Sequence, residues 1–540
     1  MSPSGSSPAA GLRRLATAAI VVMVALTQLG ATAFAQQEAG ETLAASQELT
    51  AGYSRTLVNG EEDFLYTHTN LQVWEPLVRY DNNLRPQPGI AETWLLSPDG
   101  LVWTFNLRHD VVFSNGDPLV ASDVLASIDH LKKSSGKPST FLGGINFAEI
   151  YGDPVVTATD AYTVTFTYTI PRPLLPYSIS NHYSPVWAAE SFRPDGTFNG
   201  YPIGSGPFVL ADWQRDQYIE LVRNENYYGT LPHLSKIHLR QYSDATARLA
   251  ALRSGEVQAL LELGGVLPSQ AAEIASDGEY DVRAHAATCN TFLAFNGSAG
   301  RVFNDVRLRQ AVSLSIDRRA LVDQLLDGYG TPATSVLLEP VTEFAVTDPA
   351  QQIQVDPERA AQLVQEATGG ERVSAKLIFT PPAEGINAWP FPLMAAYFQG
   401  ILQPLGFDLE LQQLETTALT DARNAGDYDI SISNNCWATG DPNYILGRLL
   451  ESTSAQNVSQ FQGYANPQVD ALLAEGRTTL DPARRVAIYQ EVQAIANTEV
   501  PVAPLFNQQT ITAAGPTIRG LDQRVAYAPT FETVYIIDAQ

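Results

Sequence analysis

Apolar and polar side chains set up short alternating runs between longer helical ones from Tyr53 onward. Trp103, Phe105 and Leu107 alternate with Val102, Thr104 and Asn106, the two-residue period of a half-buried strand. Turn residues flank it, Ser97-Pro98-Asp99-Gly100 before and Ser114-Asn115-Gly116-Asp117 after. Tyr162 to Tyr168 repeats the strand pattern and ends at Pro171, Pro173 and Pro176. Ala121 to Lys133 reads as a helix, with Ser122 and Asp123 near its start. Val306, Ala311, Leu314 and Leu321 give helical spacing to Asp305–Leu326, with Gly328 and Gly330 just beyond. Residues 359–367 and 482–496 form further amphipathic helices, and the polar, Ala-rich residues 36–50 form a flexible lead. No repeat or low-complexity linker interrupts the series, so the class is α/β or α+β.

The first 35 residues break this pattern. Arg13 and Arg14 precede the uncharged stretch Leu15 to Leu26, and Ala33-Phe34-Ala35 closes it with small residues at the two positions a signal peptidase reads. That is the layout of a cleavable secretory signal, with an uncleaved membrane anchor or twin-arginine export as the alternatives. No cysteine adjoins the cleavage site to take a lipid. The expected compartment is periplasmic or extracytoplasmic. There the two cysteines, Cys289 and Cys436, can pair or stay as separate buried thiols.

The length of 540 residues suggests about three domains. With 58 acidic against 33 basic residues the net charge is -25, which disfavours nucleic acid as a partner and favours a soluble monomer. No cofactor and no metal are expected: there is no phosphate-binding loop, no His-Glu-x-x-His pair, and no two histidines stand four apart. Gly204-Ser205-Gly206 lacks the first glycine of a nucleophile elbow, since Ile203 stands there, and reads as a turn whose glycines take positive φ. An extracytoplasmic hydrolase remains only as the alternative of a different class.

Five ordered blocks carry a resemblance. They are Ala91–Arg108 continuing through Val112–Val124; Ile203–Phe208 with Val222–Tyr228; Phe295-Asn296 with Phe303–Ala311, Ile316–Arg318 and Gly328; Tyr428–Ile430 through Trp437 to Asp441-Pro442; and Arg484–Tyr489 with Val500–Leu505. Together the chain resembles the family 5 solute-binding proteins of ABC importers, which include peptide- and nickel-binding members. The resemblance implies an α/β fold, a two-lobed periplasmic-binding-protein type II clamp with an additional domain on one lobe. Residues 36–76, 201–288 and 509–540 would form lobe I, 77–200 the added domain, and 289–508 lobe II. It also implies that Cys289 and Cys436 are bridged, and that the partners are a small-molecule or peptide ligand and a membrane permease.

Buried ligand pockets combine aromatic walls with sparse polar anchors. Asn435, Trp437 and Asp441 supply that combination within eight residues. The resemblance implies that Asp441 holds a peptide's α-ammonium group; a turn-forming aspartate before Pro442 is the plainer reading, as a core position is for Trp437. Tyr66 and His68 lie where family members line the cleft, and Trp389 offers a further aromatic surface. His182 falls about where nickel-binding members place an arginine, and residues 447–465 contain no histidine to match theirs. A short peptide therefore ranks above a nickel chelate, a sugar or an opine.

Overall fold

The structure, a computed structural model, describes residues 41–54, 72–135, 147–180, 184–338, 341–382, 387–437, 439–460, 463–523, 525 and 530–539, apart from the side chains of Thr342 and Gln460. Its spine is a mixed sheet. In chain order its strands are β1 (Glu48–Tyr53), β2 (Phe208–Gln214), β3 (Tyr218–Arg223), β4 (Lys236–Gln241), β5 (Ala259–Leu260), β6 (Asp281–Phe295), β7 (Val373–Phe379), β8 (Phe407–Gln413), β9 (Ile430–Cys436) and β10 (Val502–Ala514). They lie side by side in the order β2-β3-β4-β1-β5-β10-β6-β9-β7-β8, and Thr331–Pro332 adds a short rung to β10.

Two strands join the halves of this sheet. β6 has 15 residues and β10 has 13, and they run antiparallel from Asp281 opposite Ala514 to Ala294 opposite Val502. The far end of β10 pairs with β5, and the far end of β6 pairs with β9. Their ladder shifts register between Ala286 and Asn290 and again between Thr291 and Phe292. Such irregularities bend and twist a strand locally, and here they fall in the middle of the crossing. The boundary at 288/289 falls inside β6.

Each half has its own buried core. Leu293, Phe295, Phe398 and Phe506 anchor one, and Leu49, Phe208, Ile237 and Phe531 the other. A third core, from Leu77 to Ala188, sits under a separate antiparallel sheet of Ala91–Leu96, Val102–Leu107, Thr163–Thr167 and Val155–Asp160. The alternation read from the sequence places Trp103, Phe105 and Leu107 inward as expected. The helix expected from Ala121 spans Ala121–Ser134, its first turn braced by the Asp123 carboxylate on the Val120 and Ala189 amides.

Three local expectations are corrected. The segment Asp305–Leu326 is two helices, Val306–Ser315 and Arg318–Leu325. Asp317 caps the second by accepting from the Ala320 amide, and buried Arg318 donates to the carbonyls of Ser313, Ile316 and Pro504, fixing the break. Burial pushes the Arg318 guanidinium down to about 10. Second, the lead expected over 36–50 is tied down from Glu41 onward. The Ala44 amide and the Gln47 side chain both donate to Ile536, and β1 begins at Glu48. Third, Gly204 and Gly206 do not take positive φ. A Cβ at either would collide with the backbone carbonyls of Val73 or Gln72, so close approach of two chain segments is what requires glycine there.

Candidate functional site

The register break in β6 and β10 gathers uncharged polar side chains at the sheet's centre. Opposed residues of neighbouring strands share a face, so Asn290 on β6, Asn435 on β9 and Asn507 on β10 lie together. Trp437, two residues beyond Asn435, joins them: its indole Nε1 donates to Asn290 Oδ1 at 3.4 Å and its amide to the Thr288 carbonyl at 2.8 Å. The opposite face carries Thr291, Asn434, Phe506 and Gln508. Gln508 donates to Thr291 Oγ1 at 3.1 Å, and Asn434 donates to Asn387 Oδ1 at 2.8 Å. Along β9 the burial is complete until Asn434, Asn435 and Cys436, which are half-buried and open the strand's end to the outside.

Cys289 and Cys436 form a disulfide at this same end, between directly opposed residues of β6 and β9. Leu263, which follows β5 in the other half of the sheet, packs against the bridge together with Ala287. The adjoining loop is held by Arg248, which donates to the carbonyls of Tyr242, Gly264 and Gly265. Next to Leu263, the fully buried Glu262 carboxylate accepts from the Ser54 amide. One wall of the site therefore comes from each half of the molecule.

The residues expected from the sequence are not all brought together. Trp437 and Trp389 are both buried, at 2% and 3% exposure, but on opposite faces of the sheet. Trp437 packs with Phe292, Ile445 and Tyr489, whereas Trp389 meets Phe506 edge-on at 5.1 Å. Asp441 lies in the same core as Trp437 and is committed internally. It caps the helix Pro442–Leu450 through the Asn443 amide at 2.9 Å and accepts from Ser178 Oγ at 2.5 Å. Burial raises its carboxyl above the usual range, opposed by the Ser178 hydrogen bond and by Arg172. Asn435 does reach the half-buried end of β9, and its Nδ2 has no partner among the described residues. Tyr66, His68 and His182 lie outside the described residues.

Sequence reasoning missed Asn290, Thr291, Asn507, Gln508 and Glu262. A signal existed for some of them: Asn507-Gln508-Gln509-Thr510 is a polar run inside a strand that is otherwise apolar and buried. Chemically, this surface offers amide and hydroxyl donors and acceptors beside aromatic rings. Among the described residues, no group of three or more His, Cys, Asp and Glu is placed to hold a metal ion.

Comparison with known proteins bears on this geometry. Residues 85–457 match the model of the bacterial extracellular solute-binding proteins, family 5 (middle region). Heme-binding protein A of Haemophilus influenzae is 26% identical over 87% of this chain and 88% of its own. A probable D,D-dipeptide-binding periplasmic protein of Escherichia coli is 26% identical over 83% of this chain and 84% of its own. Among solved structures, the protein NikA of Brucella suis in complex with Fe(III)-EDTA superposes with a TM-score of 0.79 at 23% identity, covering 91% of this chain and 99% of the other.

Proposed function

The chain belongs to the family 5 bacterial extracellular solute-binding proteins, and from that premise we propose that its cargo is a short peptide. Proteins of this family serve ABC importers by binding a solute between two lobes; they are not catalysts. The observation that carries the peptide reading is the set of uncharged amides at the sheet's centre, Asn290, Asn435 and Asn507, beside Trp437. Amide side chains pair with a peptide's own N–H and C=O groups, and the indole offers a flat apolar surface for a side chain. The curated dipeptide-binding relative supports the same reading. A bare metal is disfavoured by the donor set, which lacks a His or carboxylate cluster among the described residues.

In this reading the first 35 residues export the protein and are removed, and the monomer hands its cargo to a membrane permease. Among the described residues no helix is long and apolar enough to cross a membrane. The decisive measurement is native mass spectrometry of the protein purified without denaturation from its own cells. Intact peptides of two to five residues released on unfolding are the expected result. A nickel chelate, a heme or an opine in their place overturns the peptide, and steady cleavage of added peptides overturns the receptor.

A further inference from the structure

The region from Leu77 to Ala188 reaches across to the helices that follow β9, and buried Leu84 and Leu174 enter their core, with Leu84 at the tip of the contact. At the tip Asp81–Arg85 the chain turns back on itself: the Asp81 amide donates to the Arg85 carbonyl, and the Asp81 carboxylate accepts from the Asn83 and Arg85 amides. This forces Leu84 to φ 57°, a left-handed conformation that L side chains rarely adopt. Its side chain is 1% exposed and lies in one core with Phe292 of β6, Trp437 and Ile445. Its carbonyl lies so close to Gly440 that a Cβ there would collide with it.

Polar contacts surround this tooth. Tyr177 donates its hydroxyl to Glu343, Thr439 donates to the Tyr177 carbonyl, and Ser178 donates to Asp441 at 2.5 Å. Arg85 approaches Glu343 at 3.7 Å, and further out Arg448 pairs with Glu149 at 3.0 Å. No strand pairing among the described residues joins the two sides. By contrast, the same region is fastened to the β1–β5 half through buried Glu75 and Tyr227 and half-buried Arg79 and Tyr228. Bending at the β6–β10 crossing therefore carries the tooth with the β1–β5 half and away from Gly440.

We propose that the Asp81–Arg85 tip, with Tyr177 and Ser178, is a latch that positions Trp437 and Thr439–Asp441 only when the lobes are closed. Trp437 then owes part of its placement to a part of the chain outside the strands that carry the site. Closure and the shaping of the site are thereby one event, since the latch residues favour one of two arrangements of the same loop. The inference uses the solute-binding reading only for the site that the latch flanks, and its test needs no ligand.

The test is hydrogen exchange and small-angle scattering on the ligand-free full-length mature protein. Leu84→Asn keeps a residue tolerant of the left-handed conformation but removes the tooth; Gly440→Val wedges the contact from the other side. Both are expected to speed exchange of the Asp441, Asn443 and Ile445 amides about tenfold while the amides of β6 and β10 keep their rates. Both are also expected to enlarge the radius of gyration. Leu84→Met restores the parent behaviour, and Tyr177→Phe, which loses one hydroxyl, gives a smaller acceleration at the same amides. Unchanged rates in both main variants overturn the latch. So does a uniform acceleration that includes β6 and β10, because that reports a general loss of structure. Failure of the peptide reading leaves all these outcomes untouched.

Discussion

The region from Leu77 to Ala188 meets the rest of the molecule along two borders of different build. Toward β2–β4 the border is ionic and buried. Arg79 forks onto Glu75 with Nε at 2.7 Å and reaches the Tyr227 and Tyr228 hydroxyls at 2.7 and 3.1 Å. Glu75 is 6% exposed, and the Arg79 guanidinium is held well above its ordinary value because the attraction of Glu75 and the two tyrosines outweighs burial. Toward β9 and its helices the border is two leucines, Leu84 and Leu174, a few hydroxyls and ion pairs nearer the surface. Breaking the first strands a largely buried charge; breaking the second returns leucines, hydroxyls and surface ion pairs to solvent. The proposed latch rests on this asymmetry, with the region held to the β1–β5 half and free to part from the other.

Substitutions at the ionic border should therefore cost the most. Glu75→Leu is expected to lower folding stability by about 3–5 kcal/mol, the usual penalty for orphaning a buried partner, read as a drop in denaturant midpoint. Adding Arg79→Met should restore most of that loss, since two apolar residues strand no charge. If the single variant costs nothing, the contrast between the borders is wrong. Next comes Gly206→Ala, whose methyl must displace the Gln72 carbonyl and the Trp74 amide. Overpacking of this kind costs about 1–3 kcal/mol, visible as a lower thermal midpoint. The latch variants should change local exchange strongly while shifting the thermal midpoint least among these.

Much of the architecture was legible because it is local. The strand at Val102–Leu107 and the helix from Ala121 follow from alternation and capping within a dozen residues. Ordered blocks gave the family, and with it the two-lobed plan. The break at Ile316–Asp317 was hidden because it depends on Arg318 finding the Pro504 carbonyl, far away in sequence. The glycines at 204 and 206 were misread for the same reason: the chain that crowds them belongs to Val73 and Gln72. At the site, Asn435 and Trp437 stood out by type, but Asn290 and Asn507 become neighbours only through the register of β6 with β9 and β10. Pairing register is a tertiary fact that no spacing rule reports.

The smallest effect tests the residue on which the two readings of the Trp437 segment differ. Asp441 is buried, and desolvation raises its carboxyl above the ordinary aspartate range more than Ser178, Arg172 and the Asn443 amide lower it. A group whose folded value lies above its unfolded one adds stability when protonated, and that contribution is lost as pH rises through the folded value. The folded protein therefore disfavours the ionised form of Asp441. Tyr444 and Tyr489 also face it, both pushed up by burial, and neither carries a positive charge to offset it. Asparagine caps a helix as well as aspartate, so Asp441→Asn keeps the Asn443 contact and sheds the charge. The variant should equal or slightly exceed the parent in thermal midpoint at pH 7, by less than about 1 kcal/mol. Its advantage should shrink as pH falls, and vanish below the ordinary aspartate range, where the parent carboxyl is protonated in both states. A loss of stability at pH 7 would show that the charge itself secures the contact with Ser178. A loss of affinity for dipeptides with free α-ammonium groups, at undiminished stability, would instead return Asp441 to the role of ligand anchor.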